Sequence, residues 1–397
     1  MAFRESPESG ASSRYLFGEQ NRFTTTLNNM AISKVSMVGI DFGSHITSIA
    51  LWFEEKDTIE VIADDLGSRT IPSAVAYRGD EIITGQSAIS QMHKNTSNSF
   101  DDIRSMLLDP SLSKVHIPLL DKEVTIQELG SHFFRNIHNQ IKQQVGAVVR
   151  ECIISVPYTL DEAVRKRLVE SAQAGGMRIK ACLNDSVCAL LAYKLDDGSK
   201  EPAKTLVIDI GWSKTTIALY DVSGGLFFSV ADVSITEASG NVFVNLMASH
   251  CAKDFTRKHK IPCEDNKRSM LRLRRECENA MKSLSTGAEA MIDIDSLCEG
   301  IDFSLKLSKA RFEDLIAVPI MHLKNAINTL LQNAGWSIHA VEQVCLSGGG
   351  SSIPKAMTTL KSLFPEAKFL VGRFESSEAQ CIGAASHGKY LVQQVGR

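Results

Sequence analysis

One strand-turn-strand phrase occurs twice in this chain, and it limits the fold more than any other feature. Val38–Trp52 reads VGIDFGSHITSIALW, and Val207–Tyr220 reads VIDIGWSKTTIALY. In register, Ile40 matches Ile208, Asp41 matches Asp209, Gly43 matches Gly211 and Thr47 matches Thr215, while Ile49-Ala50-Leu51 matches Ile217-Ala218-Leu219. Each copy reads as a buried strand that runs into an Asp-x-Gly turn and returns along a second strand. The glycine lets the backbone approach a ligand, and the small polar residues after it offer amide hydrogens to an anion. A carboxylate at the end of a buried strand is costly unless it is paired, hydrogen-bonded or bound to a cation. Two such turns facing one another suggest a phosphate clamp that holds a metal, and a duplicated unit implies a duplicated lobe.

Composition removes several alternatives. The 397 residues have room for two lobes, and an apolar fraction of 44% supplies sizeable cores. A formal charge of −3 argues against a protein held to nucleic acid by bulk charge, and no apolar run reaches the length of a membrane span. The nine cysteines are scattered without a C-x-x-C pair, which fits reduced core thiols in a cytoplasmic protein rather than structural zinc. Residues 1–34 are rich in Ser, Thr, Asn and Arg and read as a disordered tail. Glu5, Glu8 and Glu19 among them speak against an organelle transit peptide.

Along the chain, apolar spacing predicts a helix from Ile126 to Val148. The strand CIISVP stops at Pro157, and Thr159 with Glu162 makes a capping box for a helix to about Ala174. The first lobe closes near Lys200. The second opens at the repeat strand and includes a charged helix from about Asn266 to Ser283, whose arginines are interleaved with Glu276 and Glu278 as a salt-bridged face. Ser308 opens a long helix to Asn333 with a kink at Pro319. VCLSGGGSSIPK then gives a strand, three glycines and a helix start suited to a phosphate or nucleoside. The run Gly383 to Tyr390 nearly spells a P-loop, but it puts Tyr390 where a hydroxyl must reach magnesium and lies in a helical pattern.

From about Val35 to Leu391, the ordered motifs IDFG, VIADDLGSRTIPS, ISVPYTLDEAVRKRL, LNDSVCALLAY, VIDIG, LSGGGSSIPK and EAQCIGAA resemble the nucleotide-binding domain of the Hsp70 chaperone family. The resemblance implies an α/β, actin-like ATPase fold, two duplicated lobes around a nucleotide cleft. Lobe I would span 35–200, lobe II 201–371, and a C-terminal helix within 372–397 would pack back on lobe I. Asp41 and Asp209 would hold Mg2+ through waters, with Asp185 where the family has a glutamate; Asp185 and Asp209 are the candidate catalytic groups. Gly43, Ser44, Gly211 and Lys214 would line the phosphates of ATP or ADP. Glu278, Ser285, Gly348 and Gly349 would lie beside the adenosine.

The departures from the family point away from efficient hydrolysis. Within GQSAI, Ile89 stands where the resemblance places a lysine that stabilises the transferring phosphate, a large catalytic loss. Trp212 and Ser213 replace glycines of the second phosphate loop, so that the indole fills space a nucleotide would use. Met281, Ser352 and Ser377 replace a lysine, an arginine and an aspartate on the adenine side. The resemblance implies an apolar linker and a β-rich peptide-binding domain beyond the position of Arg397, and that domain is expected to be absent here. The chain is most similar to the atypical ribosome-associated branch of the family, which implies a J-domain partner of the zuotin type, the ribosome and a second, active Hsp70 chaperone as partners. That reading expects a platform with weak or no hydrolysis. A slow ATPase using Lys214 and a nucleotide-exchange regulator are its alternatives.

Overall fold

The computed structural model describes residues 35–63, 67–92, 94–157, 160–372 and 374–395. The expected disordered tail and Thr159 of the capping box lie outside them. In chain order, β1 (Val35–Phe42), β2 (Ile46–Phe53) and β3 (Thr58–Val61) are followed by β4 (Ile71–Pro72), β5 (Val75–Arg78), β6 (Glu81–Thr84), helix α1 (Gln86–Met92), β7 (Ser99–Phe100) and α2 (Ile103–Leu108). The hairpin β8 (Lys114–Ile117) and β9 (Lys122–Thr125) leads into α3 (Ile126–Val145). Next come β10 (Glu151–Val156), α4 (Glu162–Ala174), β11 (Arg178–Asn184) and α5 (Asp185–Ala192).

The second half runs through β12 (Ala203–Ile210), β13 (Thr215–Ser223), β14 (Leu226–Ile235), α6 (Gly240–His259), α7 (Lys267–Thr286), β15 (Glu289–Cys298) and β16 (Ile301–Ser308). It continues with α8 (Lys309–Leu315), α9 (Ala317–Asn333), β17 (Gln343–Ser347), α10 (Pro354–Leu363), β18 (Lys368–Leu370) and α11 (Ala379–Val395).

The two halves share one plan. One sheet has the order β11-β10-β1-β2-β3, with β4 added to β2, and the other has β18-β17-β12-β13-β14. In both, the repeat hairpin is antiparallel with the same register, Ile40 opposite Ile49 and Ile208 opposite Ile217. In both, the first repeat strand also pairs in parallel with a strand from later in the chain. The duplicated sequence therefore builds a duplicated α/β lobe, the arrangement of an actin-like ATPase fold. Each lobe has its own core, one around Ile40, Phe42, Phe133 and Phe134, the other around Ile208, Ile217, Phe243 and Phe255. Each such fully buried side chain contributes about 1.5–3 kcal/mol of hydrophobic stabilisation.

The C-terminal helix α11 lies on β1, β2, β10 and α5. Its seat depends on bare backbone: a Cβ on Gly383 would stand 1.7 Å from the Cys188 carbonyl oxygen. The described cysteines are all free, and eight of the nine are buried. No helix among the described residues is long and apolar enough to cross a membrane.

Several boundaries differ from the sequence expectation for local reasons. The helix opened by the Thr125 cap ends at Val145 rather than Val148, because Gly146 takes a left-handed φ of 69°. Asp161 caps α4, accepting from the Ala163 amide. The long helix to Asn333 is two helices that break at Ile316, and Pro319 sits in the first turn of α9. A proline there loses no hydrogen bond, so it starts a helix instead of bending one. On α7, Arg272 donates to the Ser296 and Asp295 carbonyls and Arg274 to Asn241, so these arginines hold polar neighbours rather than a salt-bridged face. The β8-β9 hairpin and β14 have no counterpart in the sequence reading.

Candidate functional site

The strand ends of the two repeats converge on one cavity of about 400 Å³ between the lobes. Asp41 ends β1, and Ser155 of β10 donates to its Oδ1 at 3.0 Å. Asp209 ends β12. Gly348 takes a φ of +78°, and a Cβ there would stand 2.4 Å from Asp209 Oδ1, so only a glycine leaves that carboxylate its place. Asp185 opens α5 just after the Asn184 cap, where the helix dipole favours a negative charge.

Gly43, Ser44, Gly211 and Lys214 of the turns reach the same cavity, as do Glu278 and Ser285 of α7 and the glycines Gly348 and Gly349. Met281, Ser352 and Ser377 line it as well. The chain thus gathers every residue singled out for a nucleotide, except that Ile89 lies elsewhere. Ile89 packs on Ala74, Ala76, Ile83 and Ala88 and borders a neighbouring cavity.

A cation does stand beside the aspartates, and it comes from a residue the sequence reading passed over. Arg104 of α2 reaches into the cavity and donates from Nη2 to Asp185 Oδ2 at 2.9 Å, both side chains nearly buried. Nothing in the flanking FDDIRSML marks this arginine locally; it acquires its role from the way α2 is docked.

Electrostatics follow from gathering one buried and two partly buried carboxylates around one guanidinium. Burial, reinforced by the charges of Asp185 and Asp209 and opposed by Arg104 and Ser155, pushes the Asp41 carboxyl up to about 7. Burial and the Asp185 charge, opposed by Arg104, push Asp209 up to about 6. The set is short of positive charge.

Asp185 Oδ1 and Asp209 Oδ1 are buried and have no hydrogen-bond partner in the protein. Orphaned carboxylate oxygens beside an electron-rich cluster are what a hydrated divalent cation satisfies, so the residues present fit magnesium. Among the described residues no group of three or more His, Cys, Asp or Glu is arranged to ligate a metal directly. Water-mediated contact is the arrangement compatible with both facts.

At the tips of the repeat turns the lobes touch. The Trp212 indole stacks on the His45 imidazole with ring centroids 3.9 Å apart and 13° between planes. His45 Nε2 lies 3.0 Å from Glu278 Oε1, and Ser44 Oγ donates to Ser213 Oγ at 3.2 Å. Burial raises the Glu278 carboxyl, but His45 and Lys282 outweigh it and bring it down to about 2, so Glu278 stays ionised.

Comparison with known proteins adds the following. The family model described as Hsp70 protein matches residues 37–107 and 106–395. The chain is similar to a heat shock protein of Pyricularia oryzae, 28% identical over 372 residues that make up 88% of this chain and 60% of that protein. It is similar to heat shock 70-related protein 5 of Dictyostelium discoideum, 28% identical over 379 residues, 86% of this chain and 73% of that one. It is also similar to heat shock 70 kDa protein 14-A of Xenopus laevis, 27% identical over 384 residues, 90% of this chain and 74% of that one. The chain spans about three fifths of the length of the first relatives it matches, 60%, 57% and 60%.

Proposed function

Because the chain belongs to the Hsp70 family, we propose that it is an atypical Hsp70 chaperone or co-chaperone whose nucleotide-binding lobes serve as a platform with weak or no ATP hydrolysis. It would assist protein folding in the cytoplasm with a J-domain partner at the ribosome, beside an active Hsp70. The observation that carries this reading is the Trp212 ring stacked on His45 at the tips of both phosphate turns. Catalysis of phosphoryl transfer is almost wholly positioning and electrostatic stabilisation, so side chains filling the turn gap remove the positioning. The likeness to the Pyricularia oryzae heat shock protein and to heat shock 70 kDa protein 14-A supports placing the chain among heat-shock chaperones.

Within this reading, Asp41 and Asp209 would hold magnesium through water, and Asp185 would accept from that water shell with its free Oδ1. Bound with a nucleotide, magnesium would neutralise phosphate charge. Arg104 holds Asp185 in place, and Lys214 offers the turn a cation; Ser285, Gly348 and Gly349 leave space for the nucleoside.

The slow-ATPase reading is favoured by one observation, the retained carboxylates with Arg104 among them. Both readings meet the same experiment: magnesium-ATP binding by titration calorimetry, single-turnover hydrolysis with and without a J-domain protein, and co-sedimentation with ribosomes. A platform shows no turnover above background with the J-domain protein present, together with ribosome association. Turnover that disappears in Asp209→Asn refutes the platform and establishes the slow enzyme.

A further inference from the structure

His45, Trp212 and Glu278 border two cavities at once. One is the carboxylate cavity; the other, of about 330 Å³, is lined by Ile89 and Met92 of α1 on one side and by Arg275 of α7 on the other. The stacked rings and the ion pair behind them therefore partition what would be one continuous cleft between the lobes.

The partition is anchored on three sides. The two rings are in van der Waals contact, leaving no gap for a phosphate between them. Behind His45, Glu278 is held by both His45 and Lys282, at 3.0 Å and 2.6 Å. Behind Trp212, the Asn241 amide donates to the Trp212 carbonyl and the Gly240 amide to the Gly211 carbonyl, pinning the turn to the start of α6. The Ser44 to Ser213 hydrogen bond keeps the tips together.

A phosphate chain that starts at a nucleoside beside Ser285 and Gly349 and runs toward the two aspartates meets these tips from within the cavity. Along the cavity wall it finds Lys214, for which no ion pair occurs among the described residues. At the tips it finds the stacked rings themselves, and the Glu278 carboxylate behind them is already paired with Lys282, so the barrier there is the bulk of the rings.

We propose that His45 and Trp212 are specificity-determining residues that limit the carboxylate cavity to a nucleoside diphosphate or a shorter phosphate ester, the stacked pair excluding a third phosphate. The proposal rests on reading this cavity as a nucleotide site.

The test is calorimetric binding of magnesium-ADP and magnesium-ATP to the wild-type chain, to His45→Ala, to Trp212→Gly and to the double variant. Circular dichroism and melting confirm the fold of each. His45→Ala alters a half-buried turn tip and serves if Trp212→Gly fails to fold. The wild type binds ADP at least about tenfold tighter than ATP, and each variant narrows that ratio to within about threefold by gaining affinity for ATP. An equal preference in the wild type overturns the proposal, as does a ratio unchanged in the variants. Absence of binding by all four proteins overturns it too, because the partition is then not what selects. Hydrolysis plays no part in this readout: turnover of ATP would defeat the platform reading while leaving the ADP-to-ATP binding ratio to be judged by itself.

Discussion

Replacing Arg104 by glutamine tests the electrostatic account of the cavity most directly, because its guanidinium faces the buried Asp185 and the partly buried Asp41 and Asp209. Arg104 and Asp185 are 2.9 Å apart with side chains 15% and 10% exposed. At an effective dielectric of about 20, charges 3–4 Å apart attract by about 4–6 kcal/mol. Arg104→Gln forfeits that attraction and strands Asp185, and losing one partner of a buried pair costs about 3–5 kcal/mol.

The loss depends on pH. The negative charge that Arg104 balances falls as the carboxyls beside Asp185 take up protons. At pH 5 Asp41 and Asp209 already carry protons, since burial lifts them to about 7 and about 6, so Arg104 faces less negative charge there than at pH 8. Urea denaturation of Arg104→Gln should therefore show a destabilisation of about 3–5 kcal/mol at pH 8 that is smaller at pH 5. Asp185→Asn added to Arg104→Gln should recover at least about 1.5 kcal/mol at pH 8, the coupling expected of groups in contact. A cost below about 1 kcal/mol at both pH values, or an equal cost at both, would refute the claim that Arg104 balances this cluster.

Three further outcomes follow from the same geometry. Asp41 and Asp209 have raised folded pKa values, so the stability they contribute is full below about pH 4 and is lost as pH rises through 6 to 7; Asp41→Asn should flatten that decline in a denaturation series, and a wild-type curve that rises across this window would contradict it. Magnesium must displace those protons, so titration in two buffers of different ionisation enthalpy should report release of about one proton per ion at pH 6.5 and almost none at pH 8, whereas zero release at both means the ion binds elsewhere. Gly383→Val places a side chain against the Cys188 carbonyl and should lower stability by about 3 kcal/mol or more by unseating α11, with a melting temperature unchanged from wild type as the refuting result.

How much of this was legible in the chain depends on the range over which each feature is determined. The repeated Asp-x-Gly phrase fixes two hairpins because strand alternation and turn chemistry act within about fifteen residues. Two hairpins with one pattern then take one register and one place in their sheets. Asp41, Asp209, Gly348 and Gly349 could be picked out for the same reason, being turn and strand-end residues whose type already implies a ligand. Pro319 misled because a proline marks a helix break in either of two ways, and the choice between a kink and a first turn was made by packing around Ile316.

The cation and the partition belonged wholly to the tertiary structure. Arg104 meets a carboxylate 81 positions away, and Ser44 meets a hydroxyl 169 positions away. Ile89, picked by its place in a short motif, packs among alanines of its own sub-sheet instead of lining the aspartate cavity. The sequence could say that Trp212 replaces a glycine and must displace something; it could not say that the ring would find His45 on the opposite lobe. Local propensity has no term for such encounters. They are decided when two separately packed cores dock and the side chains left at the seam find the partners that satisfy their charge and surface.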